Sequence, residues 1–252
     1  MTRRLFMGWT VGLFSILVLL PHIAHSDIYM KQKQHIDAIS AMGQNQPAQD
    51  LIVEIWITKT KMMTSNEKQK TVVDLEKQVV TFADHEKKTV TTMPLDFTQM
   101  VKNQEKEMSA EDQAAFQQFM GKMMDIKVSV KPTSEKKKIG KWECQKYIQT
   151  IEMAMGTMTS EIWATTDIKI DEQLYAKFNA ALMAQMPGLS QNVNKIMEET
   201  QKIKGVHVLS KQTNEMMGQS FSSSTELIDF KEAAAPAGVF AMPSGYKSQN
   251  PF

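Results

Sequence analysis

Hydrophobic and polar positions alternate along much of this chain in the pattern of short β-strands. The densest run covers 50–94. Within it, the odd- and the even-numbered positions of 51–58 both include apolar residues, and polar turns follow at 76–77 and 84–87. Apolar residues on both parities are typical of a strand whose two faces are covered. The same reasoning predicts strands at 28–41, 126–130, 141–153, 155–167, 206–212 and 219–230, with a hairpin tip at 136–138.

Two stretches between the predicted strands have helical periodicity instead. The first, at about 96–124, contains a capping-box pattern at Ser109 and Asp112, and the second, at about 171–203, is divided by Pro187 and Gly188. Each predicted helix carries one apolar face. These faces comprise Phe116, Phe119, Met120, Met123 and Met124 in the first stretch, and Leu174, Phe178, Ala181, Leu182, Met186, Ile196 and Ile203 in the second.

The order of elements predicts an α+β fold. Strands that are separated by helical insertions need partners across them, so we expect one large, curved antiparallel sheet of about ten strands with the helices over one face. The segment EIWIT at 54–58 returns as EIWAT at 161–165, and each copy is followed by a helical stretch. We therefore interpret Trp56 and Trp163 as paired residues of the sheet wall.

The first 26 residues have the layout of a secretory signal peptide. Arg3 and Arg4 form a basic start, 5–20 is an apolar run, and small residues at 24–26 place cleavage near Ser26 and Asp27. The apolar run has 16 residues, whereas a membrane span needs about 20, so an uncleaved anchor is the less favoured alternative. The sequence predicts secretion into the periplasm and a mature single domain at 27–252, with a C-terminal tail at 233–252.

Charge and composition argue against nucleic-acid binding. Of the 29 Lys and Arg residues only Arg3 and Arg4 are arginines, and removal of the signal peptide changes the formal net charge from +1 to −1. Arginine is the usual bidentate reader of phosphate and guanine, and lysine is a weaker substitute. The one cysteine, Cys144, cannot form an internal disulfide, and its strand-like context predicts a small buried hydrophobic residue.

Several segments across the mature chain resemble an exported bacterial family of unknown function. They are Trp56 with 61–62 (KM), Asp74, 84–88 (DHEKK), 140–147 (GKWECQKY), 161–163 (EIW) and 240–246 (FAMPSGY). That family is similar in fold to the outer-membrane lipoprotein carriers and lipoprotein-localisation factors. The resemblance implies an unclosed β-barrel in the periplasm with helices covering its concave face, and carriers of that shape hold acyl chains between sheet and helices.

The predicted function is non-catalytic binding of a hydrophobic or amphipathic ligand, a lipid or an acyl chain. Methionine-rich walls adapt to irregular apolar ligands, although a stripe at helical spacing also forms an ordinary core. We expect a monomer that makes at most transient contacts with a membrane surface or an envelope protein, without a cofactor, a metal or a catalytic residue. The residues predicted to line the cavity are Trp56, Trp163, Phe116, Phe119, Met120, Met124, Leu174, Phe178, Leu182 and Met186.

Three alternatives stay open. The chain has 21 methionines, with pairs at 62–63, 123–124 and 216–217, and thioethers suit Cu(I), so one alternative is copper handling. Another is an enzyme in which His85 acts as a base, although a solvated hairpin tip is the favoured interpretation of this acidic turn. The third is an envelope interaction protein without a small ligand, in which lysines at 87–88 and 136–138 contact anionic headgroups.

Overall fold

The fold is described here from a computed structural model. It describes residues 27–41, 44–95, 109, 111–112, 126–153, 156–183, 193–216 and 219–250. The strands are β1 Ile28–Ile36, β2 Ile39–Ala41, β3 Gln44–Gln46, β4 Gln49–Ile57, β5 Lys61–Ser65, β6 Gln69–Asp74, β7 Val79–Asp84, β8 Thr89–Pro94, β9 Lys127–Ile139, β10 Trp142–Met153, β11 Gly156–Thr165, β12 Val206–Met216, β13 Gln219–Glu232 and β14 Lys247–Ser248. The longer helices among these residues are α1 Glu172–Met183 and α2 Val193–Thr200.

Twelve strands form one sheet that does not close on itself. Their order is β14-β8-β7-β6-β5-β4-β1-β13-β12-β11-β10-β9, while β2 and β3 pair separately. The expected sheet of about ten antiparallel strands is corrected in two respects. The sequence predicts neither β5 nor β14, which are five and two residues long. The sheet is also mixed, because β14 pairs with β8 in parallel.

The centre of the sheet joins the two ends of the described chain. β1 pairs with β4 on one side and with β13 on the other, along all nine of its residues. The meander from β4 to β8 therefore extends from one side of β1, and the strands β12 to β9 extend from the far side of β13. Both helices follow β11 in the chain and lie against the sheet from one side.

Each turn of the β4–β8 meander begins with a side-chain oxygen. Thr58, Asn66, Asp74 and Asp84 each accept two backbone N–H groups, from the residues two and three positions further on, at 2.8 to 3.4 Å. Short polar side chains of this kind satisfy backbone groups that the reversing chain takes out of the ladder. The polar turns predicted at 76–77 and 84–87 are confirmed as two of these four.

The β9–β10 hairpin reverses at Gly140 and Lys141 rather than at 136–138 as predicted. Gly140 has a φ of +56°, in a region that glycine adopts more readily than other residues. The lysines at 136–138 consequently belong to β9, which is an edge strand. Lysines and Pro132 on an edge discourage pairing with a second chain.

The helices are fixed at their ends by local contacts. The carboxylate of Asp171 accepts the N–H of Leu174 at 3.0 Å, as an N-cap of α1. After α2 the chain turns at Gly205, with a φ of +87°, where a Cβ would lie 1.9 Å from the carbonyl oxygen of Thr165. Only glycine fits there, so β12 can begin directly beside β11. Within the described residues, no helix has the length and apolar character needed to cross a membrane.

The first predicted helical stretch is described only at residues 109, 111 and 112. There the hydroxyl of Ser109 accepts the N–H of Asp112 at 3.2 Å, which confirms the Ser109 half of the predicted capping box, and it donates to the Asp112 carboxylate at 2.6 Å. The remainder of the 96–124 prediction lies outside the described residues, as does the predicted signal peptide.

The pairing register gives the sheet two distinct faces. The inner face carries the helices: Tyr175 of α1 shares a cavity with Gln32, and Ile203, just after α2, packs with Ile162. The outer face carries the alternate residues of each strand. The main core under α1 includes Met30, Ile55, Ile57, Met62, Val73, Val80, Phe178 and Leu227.

The C-terminal segment, residues 233–250, covers the outer face of β1, β4, β5 and β6. Its apolar side chains, among them Val239 and Phe240, pack on a cluster formed by Tyr29, Trp56, Met63 and Val72. The segment is fastened by polar contacts as well. Lys70 donates to the carbonyl of Ala241 at 2.6 Å, and the His85 ring hydrogen-bonds to the Tyr246 hydroxyl at 2.9 Å.

The turn at Asp74 allows a direct stability test. Its side chain is only 8% exposed and lies 3.3 Å from the Lys61 ammonium. Burial opposes its ionisation, yet hydrogen bonds from the Lys77 backbone and from Lys61 lower the pKa of Asp74 overall. We expect Asp74→Ala to lower the free energy of unfolding by about 2 kcal/mol, because two N–H groups lose their acceptor.

Asp74→Asn is the matched variant, because it keeps the acceptor oxygen and removes the charge. We expect it to lose clearly less stability than the alanine variant in urea denaturation. Equal losses for the two variants would show that the ion pair, and not the turn, carries the effect.

Candidate functional site

A cavity of about 270 Å³, cavity 1, lies between the two helices and the start of β12. Its volume is close to the lower end of small-molecule sites, roughly 300 to 1,000 Å³. Its apolar wall is formed by Ile170, Ala176, Ile196, Met197 and Ile203, and its polar lining by Glu172, Gln173, Tyr175, Thr200, Gln201, Lys204 and His207.

The α2 wall of cavity 1 is held against the sheet by three hydrogen bonds. The Glu199 carboxylate accepts the N–H of Val130 at 3.0 Å, and the Gln149 amide donates to the Thr200 hydroxyl at 3.3 Å. The third bond runs from the N–H of Lys204 to the Tyr147 hydroxyl at 3.4 Å. The spacing between α2 and the sheet is therefore set by polar contacts as well as by packing.

His207 is the unusual polar group of cavity 1. It lies on β12 opposite Ala164, and its ring makes no hydrogen bond to another described residue. Burial lowers the pKa of His207 from its ordinary 6.5 to about 4. The ring is therefore neutral at pH 7 and offers one donor and one acceptor nitrogen to the cavity.

A second cavity, cavity 2, adjoins the first at Tyr175, which lines both. It measures about 280 Å³ and lies over the inner face of β1, β4, β5 and β13. The two cavities differ in their lining: most residues of cavity 2 carry an uncharged polar side chain, whereas cavity 1 combines its apolar wall with the charged Glu172 and Lys204. The lining of cavity 2 consists of Gln32, Gln34, Val53, Ile55, Met62, Thr64, Ser65, Asn66, Gln69, Tyr175 and Thr225.

The two predicted cavity residues on α1 whose side chains are described, Leu174 and Phe178, lie in the core instead. Phe178 is fully buried in the main core and Leu174 packs against it, so both lie between α1 and the sheet and neither lines cavity 1 or 2. Leu182 belongs to the same helix. The other predicted cavity residues on helices, Phe116, Phe119, Met120, Met124 and Met186, lie outside the described residues.

The two predicted wall tryptophans share the outer face of the sheet. Trp56 pairs with Tyr29 of β1, and Lys33, four residues further along β1, lies on the same face as Tyr29. Lys33 pairs with Glu226, Glu226 pairs with Leu209, and Leu209 pairs with Trp163. Trp56 is covered by the C-terminal segment. Neither tryptophan is among the residues that line cavity 1 or cavity 2.

Trp163 is only 4% exposed and belongs to the main hydrophobic cluster, and it also contacts a group of charged residues on the outer face. Its indole N–H donates to Glu161 at 2.9 Å, and Lys137 lies 3.9 Å from its ring centroid. Lys146 sits 3.0 Å from both Glu135 and Glu161, and these hydrogen bonds raise its pKa. This network holds β9, β10 and β11 together across the sheet.

The residues behind the alternative hypotheses are dispersed. Met62 joins the main core on the inner face, while Met63 packs with Trp56 on the outer face, so this pair cannot hold one copper ion together. Cys144 is buried, and burial raises the pKa of its thiol. Among the residues described, no group of three or more His, Cys, Asp or Glu side chains is close enough to hold a metal.

Two residues that line the cavities, Tyr175 and His207, are absent from the sequence predictions. Each is flanked by apolar residues, Leu174 and Ala176 in one case and Val206 and Val208 in the other. A polar residue at a position where the flanking pattern predicts burial is the signal that could have identified them. The helical stripe points instead to Leu174 and Phe178, which pack in the core.

Comparison with solved structures finds a DUF1329 family protein from Desulfovibrio piger. The two chains are 6% identical with a TM-score of 0.33, and the match covers 89% of this chain and 93% of that chain. A likeness at this level transfers no activity. No family model matches the sequence, and no curated protein matches it. The similarity to lipoprotein carriers stays a prediction.

His207 predicts how stability depends on pH. Its folded pKa lies below its unfolded pKa, so the unfolded chain takes up a proton first as the pH falls. Through this residue, the free energy of unfolding decreases as the pH falls from 6.5 towards 4, by up to about 3 kcal/mol. The charged residues lining the same cavity are Glu172 and Lys204.

We expect His207→Gln to reduce the loss of stability between pH 6.5 and pH 4. Urea denaturation of the unmodified protein and the variant at several pH values measures the difference between their free energies of unfolding. Carboxylates titrate in both proteins, so their effect cancels in this difference. Parallel pH profiles would contradict a desolvated, neutral histidine at this position.

Proposed function

We propose that this chain is a binding protein for an amphipathic ligand whose apolar part occupies cavity 1. The observation that carries the proposal is the pair of adjoining cavities between helices and sheet: cavity 1 has an apolar wall, and most residues that line cavity 2 carry a hydroxyl or a side-chain amide. An amphipathic molecule is the ligand class with this division of surface. The predicted hydrophobic or amphipathic ligand is thereby narrowed to the amphipathic class.

Burial of an alkyl chain supplies the driving force in this proposal. Each buried methylene contributes about 0.8 kcal/mol, so a ten-carbon chain contributes about 8 kcal/mol before the entropic cost of association. The neutral ring of His207 and the hydroxyl of Thr200 lie in the same cavity and would offer hydrogen bonds to a polar atom of the ligand.

The remaining parts of the proposal come from the sequence. The N-terminal 26 residues have the layout of a cleaved signal, so we place the protein in the periplasm. Binding is proposed to be non-catalytic, in a monomer, with the ligand carried or held. Copper handling and an envelope interaction role have no comparable support from the geometry.

Filling cavity 1 tests the proposal. Ala176 lines the cavity from α1, and a phenylalanine there would occupy the space of the apolar part. We expect Ala176→Phe to weaken uptake of N-phenyl-1-naphthylamine, an uncharged apolar fluorescent probe, at least tenfold in delipidated protein. The measurement is a fluorescence titration.

Lys177→Phe is the matched control, because Lys177 is the next residue of α1 and is exposed to solvent. It adds the same ring outside the cavity and should leave uptake of the probe unchanged. Circular dichroism and thermal melting confirm that both variants fold. Absence of saturable uptake by the unmodified protein, or equal weakening in both variants, would refute the proposal.

A further inference from the structure

Part of the inner face of the central strands, beyond the core formed by residues such as Met30 and Ile55, is polar, although helices lie on this side of the sheet. Uncharged hydroxyl and amide side chains replace the aliphatic residues expected on the covered face of a sheet. We call this surface the polar floor. It consists of Gln32, Gln34, Thr64, Thr71, Ser160, Ser210, Gln212, Asn214, Ser223 and Thr225.

The register places these residues side by side on one face. Gln34 pairs with Thr225, which pairs in turn with Ser210. Two residues further along β12, Gln212 pairs with Ser223 on one side and with Ser160 on the other. Directly opposed residues on neighbouring strands share a face. Because Gln34 lines cavity 2 together with Tyr175 of α1, this face is the inner one.

Much of the hydrogen-bonding capacity of the polar floor is unused within the described part of the chain. Asn214 is 4% exposed, and its amide oxygen accepts from Gln212 at 2.9 Å. The side chains of Gln34, Ser210 and Thr225 are half-buried and make no hydrogen bond to a described residue. Covered polar groups usually have partners, so these groups are available to a ligand or to water.

Cavity 2 opens onto this floor. Eight of its eleven lining residues carry a hydroxyl or a side-chain amide, and of the described residues that line it none is charged. Amides and hydroxyls both donate and accept, so they suit a partner with many groups that also do both. Tyr175 adds an aromatic ring at the junction with cavity 1.

We propose that cavity 2 binds the uncharged, hydroxyl-rich part of the ligand, a carbohydrate or polyol group, on the polar floor. This inference rests on the proposed function, which assigns the apolar part of the same molecule to cavity 1. It adds the chemical class of the polar part. A sugar presents hydroxyl groups in several directions, which matches donors and acceptors arriving from β1, β5, β13 and the start of β6.

A charged head group fits cavity 2 less well. An ionised carboxylate or an ammonium group that leaves water needs an opposite charge or several strong hydrogen bonds. The described lining of cavity 2 offers no opposite charge. An uncharged polyol loses less hydration free energy, and hydrogen bonds to the polar floor replace those that it made with water. The site should therefore discriminate between head groups on the same alkyl chain.

The test compares two amphiphiles with the same chain, n-decyl-β-D-glucoside and decanoate, each below its critical micelle concentration at pH 8. Isothermal titration calorimetry of delipidated protein should give an affinity at least tenfold higher for the glucoside. Glucose alone is the third arm, and it distinguishes a glycolipid site from a site for free sugar. We expect glucose to bind at least a hundredfold more weakly than the glucoside.

Two pairs of variants locate the head group. Thr225→Val and Gln34→Leu remove hydrogen-bonding groups from the floor, and each should weaken glucoside binding about tenfold, the effect of one hydrogen bond. Decanoate binding should stay unchanged. Ser224→Ala and Lys33→Leu are the matched controls, because each is the chain neighbour on the outer face, and neither should alter glucoside binding.

Equal affinity for glucoside and decanoate would overturn this inference and leave the proposed function standing. The same holds if Thr225→Val and Gln34→Leu leave glucoside binding unchanged while Ala176→Phe abolishes it. Failure of both amphiphiles to bind would overturn the proposed function together with this inference. If glucose bound as tightly as the glucoside, cavity 2 would be a site for free sugar, and the proposed amphipathic ligand would be refuted.

Discussion

The ladder between β1 and β13 is the constraint on which the rest of the structure depends. It unites the meander β4–β8 with the strands β9–β12, because it is the pairing that connects the two groups within the sheet. Its partners are separated by most of the described chain. Pairings of such high sequence separation are entropically costly to form. Both faces of the sheet are continuous only once this ladder has formed, and cavity 2, which is lined by residues of both strands, depends on it directly.

The register of that ladder also decides which side chains meet. A shift by one residue would exchange the inner and outer faces of a whole strand. The observed register sends Met30 to the core under α1 and Tyr29 to the cluster under the C-terminal segment. An irregularity beside Lys31 and Gln32 changes which alternate residues of β13 face inwards, since Phe230 pairs with Met30 before it and Leu227 pairs with Gln32 after it. The helices and the C-terminal segment thus cover opposite sides of one ladder.

Local features of this fold were predictable from sequence and long-range ones were not. Alternation identified most strands, and short polar residues marked the turns after Asp74 and Asp84, because both signals act over a few residues. The pairing of β1 with β13 has no local signal. For the same reason the sequence could not show that the C-terminal segment covers Trp56, nor that α1 directs Phe178 into the core and Tyr175 towards the cavities.

The polar floor shows most clearly why the candidate site needed the structure. In sequence, the serines, threonines and glutamines of β12 and β13 are typical of a solvent-facing strand, and only the register shows that alternate ones face the helices. Unpartnered polar groups on a covered face reduce stability, whereas aliphatic residues there would increase it. A surface that retains such groups beside an apolar cavity is better suited to recognising a polar partner than to packing. Tyr175, which borders both cavities, marks where the chemistry changes from one to the other.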